Sequence, residues 1–329
     1  MAARGAAAEP GRLTAMRLGV LDVGSNTVHL LVVDAHQGAH PTPMHDDRWL
    51  LRLAEQIGDD GMLSKAGEKA LLKAVQEACA QAEKQGCEEL LALVTSAIRE
   101  AENGMEVLAR IRERTGVDLQ VLTGEDEARL TFLAVRRWFG WSAGRLLVLD
   151  IGGGSLELAS GIDEDPEVAL SVPLGAGRLT RRFLPTARDG GRPDLEALAS
   201  LDEHARDLLK PAVKELRDIG RPDLVAATSK TFRTLARLTG AAPYSAGLQA
   251  QRELSLAGLD QLVGFVSRIE SAALAELRGV SPDRAHQIPA GAVVAAATMR
   301  ALDVPCVRIC PWALREGVIL RRLDSLGGA

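Results

Sequence analysis

Two short segments of this chain set a carboxylate beside a turn of small residues, a combination suited to holding phosphate and a metal ion together. They read Asp22-Val23-Gly24-Ser25-Asn26-Thr27 and Asp150-Ile151-Gly152-Gly153-Gly154-Ser155. Gly152, Gly153 and Gly154 have backbone angles closed to other residues within reach, so successive N–H groups can converge on phosphate oxygens with no side chain in the way. Ser155 adds a hydroxyl donor, and Gly24, Ser25, Asn26 and Thr27 offer a matching set. Asp22 and Asp150 would repel a phosphate unless a divalent cation stood between them. Mg²⁺, which takes one or two carboxylates together with phosphate oxygens, fits that arrangement. Glu157 lies two residues past Ser155, on the same side of an outgoing strand, within reach of the metal or of a water. A single such segment is also what a tight hairpin looks like; two copies argue for a pair of phosphate loops facing one ligand across a cleft.

The elements that must position these residues repeat as well. An apolar run at 18–21 leads into Asp22 and another at 28–33 leaves Thr27, and the runs at 146–149 and 156–159 flank the second motif in the same way. An internal duplication of a strand, loop, strand unit is the strongest structural signal in the chain. A third strand is expected at 49–53, then a helix at 64–85 with Ser64 as N-cap and Gly86 just past its end. Strands at 90–94 and 117–122 flank a helix at 105–114, and a helix follows at 125–139. The second half reads as helices near 194–218, 231–238, 256–277 and 290–302, strands near 223–227 and 306–309, and a closing helix at about 312–323. This alternation predicts mixed α/β sheets. The domains are expected at 16–141 and 142–329, with the boundary near Gly140 to Gly144 and the closing helix packing back on the first. Residues 1–15, rich in Ala, Gly and Arg without apolar periodicity, read as a disordered extension.

Composition sets outer bounds. At 329 residues the chain exceeds the roughly 250 at which single cores stop growing, so two domains and a cleft are expected. A formal charge of −5 gives no global pull on nucleic acid or an anionic membrane; a polyanion must be held by local cations or backbone amides. Cys79, Cys87, Cys306 and Cys310 lack metal-site or disulfide spacing and read as buried thiols in a reducing cytoplasm. No apolar run approaches the roughly 18 residues needed to span a bilayer, and a cytoplasmic location is expected. The isolated His45-Asp46 pair is no metal-dependent hydrolase motif.

Together with Thr123-Gly124-Glu125-Asp126-Glu127-Ala128-Arg129-Leu130 and Ala313-Leu314-Arg315-Glu316-Gly317, the two loop motifs resemble the exopolyphosphatase and guanosine-pentaphosphate phosphatase family, above all its short actinobacterial members. The segments occur in family order from Leu18 to the closing helix. The resemblance implies duplicated actin-like ATPase (ribonuclease H-like) domains with a phosphate-binding cleft between them. It implies Mg²⁺-dependent (or Mn²⁺-dependent) hydrolysis of the terminal phosphoanhydride of inorganic polyphosphate, releasing orthophosphate, with K⁺ as a candidate monovalent ion. Guanosine pentaphosphate is the alternative substrate, which would link the protein to the stringent response, and a homodimer is expected on the same ground. Glu127 is implied as general base, in the first helical turn after a Gly, while Glu125 and Asp126 stabilise the helix N-terminus. Arg99, in Thr95-Ser96-Ala97-Ile98-Arg99-Glu100, matches a family arginine suited to clamping a nonbridging oxygen.

Arg178, Arg181 and Arg182 are candidates to guide the rest of the polymer, with Arg178 and Arg182 on one helix face and Arg181 apart. Where many members have Ser-Ser-Gly-Thr, this chain has Thr228-Ser229-Lys230-Thr231, giving Lys230 as an extra phosphate contact, and Pro311 replaces an aspartate. The long members' C-terminal helical extension is missing, from which short substrates are expected. Sugar kinases, filament-forming relatives and a non-catalytic sensor of polyphosphate or alarmone share the superfold. Glu127 and Glu157 argue against the sensor.

Overall fold

The runs on either side of the first motif form β1 (Met16–Val23) and β2 (Thr27–Ala35), an antiparallel hairpin with Asp22 directly opposite His29. The chain continues through β3 (Pro43–Leu50), α1 (Lys65–Lys84), β4 (Glu89–Val94), α2 (Ser96–Arg99), α3 (Gly104–Thr115), β5 (Gln120–Val121) and α4 (Gly124–Phe139). The second half opens with the hairpin β6 (Leu146–Ile151) and β7 (Leu156–Gly161), in which Asp150 faces Glu157, followed by β8 (Val168–Val172). Then come α5 (Ala176–Phe183), α6 (Pro185–Arg188), α7 (Leu195–Asp218), β9 (Leu224–Thr228), α8 (Ser229–Leu238), β10 (Glu253–Ser255), α9 (Leu256–Val266) and α10 (Ser271–Leu274). The chain closes through α11 (Ile288–Ala301), β11 (Cys306–Ile309) and α12 (Leu314–Gly327). This computed structural model describes residues 16–36, 38, 40–58 and 60–327; the stretch 1–15, read from sequence as an extension, lies outside them.

The sheets have one plan. The first runs β3-β2-β1-β4-β5, and the second runs β8-β7-β6-β9-β11 with β10 added at its edge. In both, the opening hairpin is antiparallel and the next strand inward is parallel to its first strand. The duplication inferred from two motifs therefore extends to whole ribonuclease H-like sheets, the architecture of actin-like proteins. Because the first strand is central in each sheet, Asp22 and Asp150 emerge at the carboxyl ends of buried strands, where open α/β sheets place ligands.

Two helices cross between the halves. Ala128, Phe132 and Val135 of α4 pack with Leu146, Val148 and Ala159 of the second sheet. Ile319 and Leu323 of α12 pack with Leu18, Val20 and Val33 of the first. Where α4 and α12 meet, a Cβ on Gly317 would lie 1.9 Å from the Leu130 carbonyl oxygen, so only glycine lets the two backbones approach this closely. Phe132 and Ile319 are fully buried there, each contributing roughly 2–3 kcal/mol of apolar burial.

Several expected elements shift. The third strand lies at Pro43–Leu50 rather than 49–53: an edge strand with one exposed face, it is too polar to signal itself. Residues 51 and 52 instead leave the sheet, their N–H groups donating to Asn26 O at 3.0 and 2.8 Å. The expected strand at 117–122 shrinks to Gln120–Val121, the two residues that pair with β4. The single helix expected at 256–277 is two. Ser267 Oγ donates back to Gly264 O at 3.0 Å, and the N–H groups of Ser271 and Ala272 are taken by Gly191 O and Gly190 O.

Candidate active site

The hairpin turns of the two sheets meet face to face. Gly24 N–H donates to Thr27 O at 3.0 Å, and Gly152 N–H donates to Ser155 O at 2.9 Å, the same bond in each repeat. None of Gly24, Gly152, Gly153 or Gly154 takes up the left-handed φ open to glycine. Their smallness is what the site uses: a Cβ on Gly153 would lie 2.1 Å from Ser25 Oγ, and one on Gly154 2.4 Å from Ser96 Oγ. Asn26 and Gln287, both buried, reinforce the contact, with Asn26 Nδ2 donating to Gln287 Oε1 at 3.1 Å.

Between the turns lies a cavity of about 210 Å³. Asp22, Glu127, Asp150 and Glu157 line it, with Gly24, Ser25, Asn26, Thr27, Gly152, Gly153, Ser155 and Lys230. Gly154 and Arg99 do not. The Gly154 carbonyl turns toward α5 and accepts from Gly175 N at 3.2 Å and Arg178 Nε at 2.7 Å. Arg99 stands behind Glu127: its guanidinium ion-pairs with that carboxylate and donates to Leu122 O at 2.7 Å.

Glu127 reaches the cavity because α4 starts where it does. Thr123 Oγ1 accepts from Asp126 N at 3.0 Å while Asp126 Oδ2 accepts from Thr123 N at 3.3 Å, a reciprocal cap that fixes the first turn. Burial pushes the Glu127 carboxyl up to about 7; the Arg99 cation opposes this, and the charges of Asp22 and Asp150 add to it. Asp150 is pushed up to about 6 by burial, against the pull of Arg233. Asp22 is raised by burial and lowered by Arg315, whose Nη1 lies 3.5 Å from its Oδ2. Glu157 is raised well above the usual range by burial, then by Glu127 and Asp150, while Ser171 Oγ donates to it at 2.9 Å. Four carboxyls thus share one cavity, each raised first by burial, with Glu127, Asp150 and Glu157 raised further by carboxylate neighbours.

Other residues on this wall escaped the sequence reading. His29, 4% exposed, occupies in the first hairpin the register position that Glu157 occupies in the second, and each lies seven residues past its aspartate. Aligning the repeats by that offset finds it. Its ring pairs with Asp46 at 2.7 Å, and its pKa falls to about 4 through burial and then Arg315. A second repeated feature is Thr95-Ser96 after β4 and Thr228-Ser229 after β9. Ser229 holds φ 84°, a strained backbone for a non-glycine residue, and its hydroxyl accepts from Phe232 N at 3.3 Å. Arg48, Arg233, Arg284 and Arg315 complete the cationic side. Isolated arginines carry no sequence signal, although Arg315 lies within Ala313-Leu314-Arg315-Glu316-Gly317.

The α5 arginines do not behave as their spacing suggested. Arg178 pairs with Glu100 and Arg181 donates to Ala54 O, both tying α5 to the first half. Arg182 turns away, 3.2 Å from His204 Nε2 and over the Phe183 ring. Residues 178 and 181 share a face as i, i+3 neighbours, a pairing the i, i+4 reading passed over.

Among the described residues no group of three or more His, Cys, Asp or Glu side chains forms a preassembled metal site. Two aspartates raised chiefly by burial suit a cation that draws its remaining ligands from phosphate and water, as Mg²⁺ does.

Residues 32–326 match the Ppx/GppA phosphatase family. The chain is 60% identical over 310 residues to Exopolyphosphatase 1 of Mycobacterium tuberculosis, covering 94% of this chain and 89% of that protein. It is 58% identical to the Mycobacterium leprae protein of the same name, covering 94% and 90%. A solved structure of an exopolyphosphatase from Cytophaga hutchinsonii superposes with a TM-score of 0.83 at 22% identity, over 94% of this chain and 98% of that one, a likeness of fold. Sequence likeness and shared fold therefore run together from the first hairpin into α12, and this chain belongs to the Ppx/GppA phosphatase family.

Proposed function

We propose that this protein is an exopolyphosphatase that removes the terminal phosphate of inorganic polyphosphate with a divalent cation bound. The observation that carries this reading is Glu127, a carboxylate poised near neutrality between two facing phosphate loops. A base with a pKa near the working pH is half available and still strong enough to take a proton from water. The names of the mycobacterial relatives support the same reading.

The loops Gly24–Thr27 and Gly152–Ser155 cradle the terminal phosphoryl group with amides and hydroxyls. Asp22 and Asp150 would hold the cation, Mg²⁺ or Mn²⁺, which would supply positive charge against that gathering on the phosphoryl oxygens. Glu127 accepts the proton of the attacking water, Glu157 orients that water, and Arg99 sets the angle and basicity of Glu127. The water oxygen bonds to phosphorus as the bridging P–O bond breaks. The bonding pair leaves with the shortened chain, and orthophosphate is released. Lys230, Arg233 and Arg284 offset the negative charge left on that chain. A K⁺ requirement, a homodimer and a cytoplasmic location complete the reading. Guanosine pentaphosphate is the second substrate to test, because the same roles serve its terminal phosphate.

Orthophosphate release with Mg²⁺ from tripolyphosphate, long polyphosphate, guanosine pentaphosphate and ATP tests the proposal. Release from polyphosphate is expected, falling by about 10²-fold or more in Glu127→Ala. Tight binding without release would make the protein a sensor instead.

A further inference from the structure

A second cavity, about 740 Å³, adjoins the catalytic cleft, and Arg48, Lys230, Arg233 and Arg315 line both. Past that shared wall Arg237, Arg252 and Arg278 line the second cavity alone. Its two lining carboxylates are already engaged: Asp46 by His29 at 2.7 Å and Arg48 at 3.1 Å, and Glu316 by the N–H of Ala313 at 2.8 Å. Lys230 stands at the junction, its Nζ donating to Ser281 Oγ at 2.7 Å, which in turn donates to Asp283 Oδ1. Of the cations among the described lining residues, Arg48 is committed to Asp46 and Arg252 to four backbone carbonyls. Lys230, Arg233, Arg237, Arg278 and Arg315 remain as an excess of positive charge suited to a polyanion, and continuity with the cleft gives a chain a path to follow. The opposite exit, over α5, offers less: Arg178 is committed to Glu100 and Arg182 faces His204.

We infer that the phosphates behind the one being cleaved run past Lys230 into the second cavity, where Arg237 and Arg278 form a distal subsite for the inorganic chain. The inference rests on the polyphosphate reading above and adds the direction of the chain. Chains long enough to reach the subsite bind more tightly than tripolyphosphate, which ends in the cleft. Arg278 is exposed, so reversing its charge leaves the core untouched.

The test uses the full chain carrying Glu127→Gln to stop turnover, with Mg²⁺ and low salt so that screening does not mask the charge. Calorimetric affinities are compared for tripolyphosphate and long polyphosphate. Arg278→Glu is expected to reduce the long-chain preference about fivefold, with Arg182→Glu as a control that leaves the preference intact. A preference unchanged in Arg278→Glu but lost in Arg182→Glu would overturn the inference and send the chain over α5. A preference unchanged in both would overturn it too. If neither polymer binds and the unmutated protein releases no phosphate, the exopolyphosphatase reading has failed, a result distinct from either of these. Should the combined variant not fold, the ratio of KM values in Arg278→Glu alone carries the same comparison.

Discussion

Replacing Glu127 by Gln should make the folded protein more stable while removing its activity, because the fold holds that carboxylate charged at a cost. The carboxyl rises from an ordinary 4.5 to about 7, mostly through burial, and Arg99 recovers only part of the loss. At about 1.4 kcal/mol for each tenfold change in proton affinity, ionising Glu127 in the folded state costs about 3 kcal/mol. A raised acid binds its proton more tightly when folded. The penalty is therefore absent below the unfolded pKa, grows as pH rises through the window from 4.5 to about 7, and is constant above it. Glutamine keeps the shape and an oxygen for Arg99 but never ionises. The stability gap between Glu127→Gln and the unmutated protein is expected to be about 1 kcal/mol near pH 5 and about 3 kcal/mol near pH 8.5. For a chain this long that is a rise in Tm of about 4 °C at the higher pH. Thermal and urea unfolding across pH, without divalent cation, measure it. Added Mg²⁺ with phosphate should narrow the gap by stabilising the charged form. A variant less stable than the parent at high pH, or an offset that does not change with pH, would mean that Glu127 is not held ionised at a cost.

Arg99→Ala should move the acid limb of kcat/KM to higher pH, because the cation that restrains the Glu127 pKa is gone, with KM for tripolyphosphate little changed. A raised KM with an unmoved limb would instead make Arg99 a phosphate clamp. Gly153→Ala should lower kcat by about 10²-fold through displacement of the two loops, since its Cβ would meet Ser25 Oγ at 2.1 Å. Its Tm should shift by only about 2 °C, because a movable hydroxyl is the atom displaced.

The site was legible in the sequence where it repeats. Asp22 and Asp150, their small-residue turns, and Glu157 follow from a duplicated motif between apolar runs, and all but Gly154 line one cavity. Glu127 needed the family resemblance, because one acid among three in a helix's first turn has no distinguishing local signal. What stayed hidden depends on contacts between distant segments. The glycines proved necessary for clearance against Ser25 and Ser96 across the cleft rather than for their own backbone angles. His29 sits in an apolar strand and matters only through its register with Asp22. Strand β3 carries too few apolar residues to show itself, and α4 and α12 each pack on the other half's sheet, which chain order does not reveal. The polar α5 arginines looked like a phosphate path, and their partners Glu100, Ala54 and His204 come from far away in sequence.

On the proposed mechanism, a water activated by Glu127 removes terminal phosphates from polyphosphate in the cleft between the two loops. Orthophosphate release from tripolyphosphate and long polyphosphate with Mg²⁺, in the unmutated protein and in Glu127→Ala, tests it most directly. Steady release is expected, falling by about 10²-fold or more in the variant while polyphosphate binding persists. Release at an unchanged rate in Glu127→Ala would contradict it by placing the base elsewhere, and no release from either polymer by the unmutated protein would contradict the activity itself.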